Sequence, residues 1–161
     1  LTKAIKMVKS PKTGAYTFGC KLNGQVWLPK NYSLSLISPI AVLQGSWWSP
    51  HVFILRASQM RKNDNSARSN FEFYVDPSLT DTIFLKQNNI NDNTAFYLHS
   101  PYKDLNFNIY QSIISKDSWV HFSRFDTINY IASGIFSIDL LNVDNNLDTI
   151  KIREGRFDIP F

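Results

Sequence analysis

From Tyr16 onward, apolar residues recur at every second position. Tyr16, Phe18, Cys20 and Leu22 alternate with Thr17, Gly19 and Lys21, as in a strand with one buried face, because successive side chains of an extended chain point to opposite sides. Asn23-Gly24 follows. That pair favours a type I′ turn, whose two central residues take positive φ, so the spacing predicts a hairpin with Leu22 opposite Gln25 and Cys20 opposite Trp27. "VFILRAS" (52–58) reads as a largely apolar strand, and "FEFYV" (71–75) sets Phe71, Phe73 and Val75 against Glu72 and Tyr74, with the polar loop "QMRKNDNSARSN" between them. "DTIFLK" (81–86), "AFYLH" (95–99), "DLNFNIYQ" (104–111), "SWVHFSRFD" (118–126) and "INYIASGIFSIDLLN" (128–142) supply further strands, with the Asn-rich loop "QNNINDN" after the first of them. In the closing "DTIKIREGRFDIPF", Ile150 and Ile152 face inward, Glu154-Gly155 is read as a turn, and Phe157, Ile159 and Phe161 face inward again. Roughly eight to ten short strands about ten residues apart, with no amphipathic helix, predict an all-β antiparallel β-sandwich; a closed lipocalin-like β-barrel is the alternative.

Composition agrees with strands. Twelve Phe, seven Tyr and four Trp contribute to 43% hydrophobic residues against 19% charged ones, and a pleated surface accepts aromatic and β-branched side chains. At 161 residues one core suffices, so the chain divides into an N-terminal tether, 1–13, and a single all-β domain, 14–161. The tether carries Lys3, Lys6, Lys9 and Lys12 around Pro11. Up to Asn63 there are nine basic residues and no acidic one; from Asp64 there are eight basic and thirteen acidic. The basic start reads as solvated chain, which anionic head groups would attract if a membrane were near. No helix-turn-helix, zinc or RRM pattern accompanies the charge, so nucleic acid is not an expected partner. No apolar run approaches the about 20 residues of a membrane helix.

Catalytic signatures are sparse. A single Cys excludes an internal disulfide and a Cys-rich zinc site, and its place on the apolar face beside Trp27 predicts a buried, structural thiol rather than a nucleophile. His51, His99 and His121 lie far apart without HExxH spacing, and "DNNLD" (144–148) lacks the Gly and Glu that a calcium loop needs further on. No cofactor or metal is expected. Two features suggest binding. Trp47 and Trp48 stand between Gly45 and Pro50, read as a loop whose rings would stack on a sugar or apolar ligand. Arg153 and Arg156 would face each other across the final hairpin, a like-charge pair that calls for an anion, supplied from outside or by a neighbour such as Asp158.

"TGAYTFGCKLNGQVWLP" together with "SGIFSIDLLN" and "DTIKIREGRFDIPF" resembles small Bacteroidota envelope lipoproteins grouped as a domain of unknown function, in which a TFGC-x-x-NG-x-x-W hairpin opens the domain and a G-x-FD strand ends it. The resemblance covers about 40 residues at the two ends. It implies secretion and a lipid anchor upstream of Leu1, in the periplasm or at the outer membrane, and brings no activity with it. The resulting expectation is a non-catalytic envelope module that binds a glycan or an envelope protein; a carrier of a small apolar ligand comes second, and an enzyme with an unrecognised site third.

Overall fold

The structure, a computed structural model, describes residues 14–30, 43–49, 51–60, 67–78, 80–87, 93–100 and 107–161. Residues 1–13, expected to form a tether, and 61–66 and 88–92, expected to lie in polar loops, are outside the described residues. Eleven strands follow in chain order: β1 (Thr17–Leu22), β2 (Gln25–Trp27), β3 (Leu43–Ser49), β4 (Val52–Met60), β5 (Ala67–Val75), β6 (Thr82–Phe84), β7 (Thr94–His99), β8 (Asn108–Ser112), β9 (Trp119–Asp126), β10 (Ile131–Asn142) and β11 (Thr149–Pro160). No helix occurs among the described residues. The strands pair antiparallel in the order β2-β1-β11-β10-β8-β7-β5-β4-β3, with β9 on the other part of β10's edge and β6 beyond it. The fold is all-β, as the alternation implies: a strongly curled, open half-barrel consistent with a sandwich or barrel-like architecture.

The curl brings distant parts of the sheet together. Lys30, just past β2, bridges Gln59, donating its N–H to Ser58 O at 3.0 Å and accepting from Met60 N at 2.7 Å. The sheet forks on β10, whose first half pairs with β9 and whose last residues pair with β8. Asp139 sits at the fork. Its N–H donates to Ser118 Oγ and its carboxylate accepts from Ser115 Oγ at 2.8 Å. Inside the curl lie the buried rings of Phe18, Phe53, Phe71, Phe73, Phe122, Phe136 and Phe157, with neighbouring centroids such as Phe71–Phe136 and Phe73–Phe157 at 5.3 and 5.5 Å. Aromatic pairs at such separations add to the gain from burying their area.

Two of these rings explain the end motifs. "SGIF" on β10 and "EGRF" on β11 each contain Gly-x-Phe, and antiparallel pairing sets Gly134 opposite Phe157 and Phe136 opposite Gly155. Each ring lies over the partner's glycine, where a Cβ would come within 2.6 Å of Phe157 or 2.4 Å of Phe136. Glycine is needed for this close approach, not for an unusual φ.

The Asn23-Gly24 hairpin forms in the expected register, Leu22 with Gln25 and Cys20 with Trp27, and both turn residues have positive φ. Tyr16 departs from the alternation: it precedes β1 and is 66% exposed. The larger correction concerns β11. Glu154-Gly155 is no turn; the strand runs through it, and β10 and β11 are joined instead at 143–148, so "DNNLD" is the hairpin loop. Glu154 takes φ +53° as the extra residue of a bulge, since the register shifts against both β1 and β10 here. A bulge reverses the facing of everything after it, which is why Ile152 and then Phe157 both point inward.

Candidate functional site

On the outer face of β6, β9 and β10, opposite the core, lies an aromatic platform. Along β6, Ile83 is buried while Thr82 and Phe84 point outward; along β9, Val120 and Phe122 are buried while Trp119 and His121 point outward. Registers Phe84–Trp119 and Thr82–His121, then His121–Ile135, align these side chains across three strands. Phe84 and Ile135 are 59% and 43% exposed, and with Thr82, Lys116, Trp119 and His121 they line a shallow cleft of about 360 Å³. His121 Nδ1 shares a 2.8 Å hydrogen bond with Thr82 Oγ1, which fixes the imidazole against the platform. The next strand continues the row: Ile135 pairs with Arg156, and Arg156 with Gly19.

Arg153 and Arg156 therefore do not oppose each other; Arg153 lies beside Lys21 and Arg156 beside Gly19. Arg153 is committed to the fork, donating to Asp139 Oδ1 at 2.6 Å and to the carbonyls of Ile138 and Ile152, with Asp117 at 3.7 Å. Burial disfavours the charged Asp139, yet the bonds from Arg153 and Ser115 outweigh it and hold the carboxyl below its ordinary range. Arg156 is exposed. Asp158 does not neutralise it, because that carboxylate accepts from Ser133 Oγ at 2.6 Å and from the N–H groups of Gly14 and Ala15.

Trp47 and Trp48 belong to β3 rather than to a loop; Trp47 pairs with Phe53 of β4, and the side chain of Trp48 lies outside the described residues. Trp47 is half-buried, 4.9 Å from Phe125 and 6.4 Å from Phe161; its ring closes one end of the core. The histidines stay apart: His99 stacks on Tyr97, His51 lies 3.6 Å from Asp76 on an exposed turn, and His121 serves the platform. No group of His, Cys, Asp and Glu fit to hold a metal occurs among the described residues. At the mouth of the curl a second cleft of about 230 Å³ is lined by Leu22, Gln25, Val26, Trp27, Gln59, Tyr97 and His99.

Cys20 is buried, beside its cross-strand partner Trp27, and burial pushes its thiol up to about 12. A thiolate is the reactive form, so the folded protein is expected to resist thiol reagents at mildly alkaline pH and to react once unfolded in guanidinium. Equal labelling rates in the two states would show that the thiol is accessible.

Of the platform, the sequence pattern singles out Arg156 and names His121 without giving it a role, and it leaves Phe84, Lys116, Trp119 and Ile135 unmarked. The available signal was apolar residues on both faces of one strand: Phe84 alternates with Ile83 and Leu85, and Trp119 with Val120, although an antiparallel sheet needs only one apolar face.

A family model described as a domain of unknown function (DUF4295) matches residues 1–21. No curated protein and no solved structure matches the chain.

Proposed function

We propose that the domain is a non-catalytic binding module of the cell envelope, and that the outer platform of Phe84, Trp119 and Ile135 is its ligand surface. The observation that carries this is the exposure of Phe84 and Ile135 on strands whose inward faces already fill the core. A contiguous exposed apolar patch marks an interaction site, and flat aromatic rings on a sheet offer stacking area to the C–H faces of sugars. The phenylalanine-filled interior favours surface binding over carriage of an apolar ligand inside. The resemblance of the end segments to envelope lipoproteins supports the location, with a lipid upstream of Leu1 as tether.

Affinity electrophoresis of the full chain against a panel of polysaccharides tests the reading. The wild type is expected to be retarded by at least one of them, and Trp119→Ala to weaken that binding by about tenfold, one stacked ring contributing on the order of 1.4 kcal/mol. The thermal midpoint is expected to change little, because the ring faces away from the core. No retardation by any polysaccharide, or unchanged retardation of Trp119→Ala, would overturn it.

A further inference from the structure

The charges bordering the platform name a ligand class, an inference that rests on the binding-module reading above. The described arginine side chains are those of Arg56, Arg124, Arg153 and Arg156. Arg56 reaches Glu72 at 3.4 Å, Arg124 reaches Asp126 at 2.6 Å and Arg153 reaches Asp139 at 2.6 Å. Arg156 alone has no carboxylate partner among the described residues, and it stands next to Ile135 in the platform's own row. Lys116, exposed and three residues before Trp119, lines the cleft and likewise meets no carboxylate among the described residues.

This is local charge, not a general field. With the four lysines of residues 1–13 set aside, thirteen basic and thirteen acidic residues remain in 14–161. A nucleic acid, with one charge per about 3.4 Å of strand, calls for a run of many cations, whereas two, Arg156 and Lys116, border this platform. A polymer with sparser charge and sugar faces suits the surface better. From β6 to β11 the row spans three interstrand gaps, about 14 Å, so a chain of sugars laid across it touches aromatic and cation together.

We propose that the platform binds an acidic polysaccharide, with Phe84 and Trp119 against the sugar faces and Arg156 and Lys116 on the carboxylates. A guanidinium holds a carboxylate through two parallel hydrogen bonds.

The test uses the full chain and two polymers of the same backbone, polygalacturonate and its methyl ester, with oligothymidylate as a third probe. The wild type is expected to bind the acid about tenfold more tightly than the ester, the scale of one charged hydrogen-bonded contact. Arg156→Gln is expected to remove most of that preference while still binding the ester, and Trp119→Ala to weaken both. Equal binding of acid and ester, or a preference that survives Arg156→Gln, overturns the acidic ligand, while loss of binding in Trp119→Ala keeps the module reading. Unchanged binding in Trp119→Ala assigns the attraction to the N-terminal lysines, and no binding of either polymer leaves the surface without its ligand; each overturns the inference. Tighter binding of oligothymidylate than of polygalacturonate overturns it in favour of nucleic acid.

Discussion

Alanine at position 134 is expected to destabilise the fold by about 4 kcal/mol, above the usual range for overpacking. The added Cβ would lie 2.3 Å from the carbonyl oxygen of His121 and 2.6 Å from the ring of Phe157. The ring cannot swing away, being buried against Phe73, Phe122 and Phe136. The carbonyl belongs to β9, so relief requires β9 and β10 to part along their ladder. For a chain of this size such a loss lowers the thermal midpoint by roughly 8 to 16 °C. Chemical denaturation measures it directly, and a second variant separates the two contacts. Phe157→Leu combined with Gly134→Ala frees only the ring side, so the pair is expected to remain well below Phe157→Leu alone. A loss under about 1 kcal/mol in Gly134→Ala would mean that the strands sit further apart than described.

Period two was a sound guide wherever it ran unbroken. The Asn23-Gly24 hairpin, the inward set Phe71, Phe73 and Val75, and the burial of Cys20 beside Trp27 all follow from local spacing and turn chemistry, which the chain carries within a few residues. The reading failed where the period was broken by one residue. At Glu154 an inserted residue and a hairpin turn both leave Ile152 and Phe157 facing inward, and Glu-Gly suits either; the choice was made by β1 and β10, which flank β11 on both edges and require it to continue. β9 repeats the case. A register shift against Ser133–Gly134 turns Phe125 inward, onto Phe53 and Phe161, although strict alternation puts it on the face of Trp119.

The site was less legible for a related reason. Trp47 and Trp48 are adjacent between Gly45 and Pro50, but strand or loop is decided by the pairing of β3 with β4, and the half-burial of Trp47 by Phe125 and Phe161, far away in sequence. Phe84, Trp119 and Ile135 come from three separated segments and become one surface only through the β6–β9–β10 register. Arg156 stands apart because Arg153 and Asp158 are committed elsewhere, commitments made by β10 and the chain entering β1 and not by β11 alone.

Asp158→Ala is expected to cost about 3 to 4 kcal/mol, since each buried polar group left without its partner carries a penalty of about 1 to 3 kcal/mol. Asp158 stands between the inward-facing Phe157 and Ile159, so it points away from the core, yet it is fully buried. The cover is the chain entering β1: Gly14 and Ala15 lie across it, their N–H groups 3.0 and 3.3 Å from its two oxygens, and the buried Ser133 donates from β10 at 2.6 Å. One carboxylate thus ties three segments, and removing it strands the Ser133 hydroxyl and frees the start of β1, whose pairing begins at Thr17–Asp158. Amide hydrogen exchange should accordingly quicken from Gly14 to Phe18 more than in the β4–β5 ladder. Asp158→Asn keeps one acceptor oxygen and is expected to lose roughly half as much. A denaturation midpoint unchanged in Asp158→Ala, with exchange at Gly14 and Ala15 as slow as before, would remove the staple. It would also reopen the possibility that Asp158 serves Arg156, which the acidic-ligand proposal requires to be free.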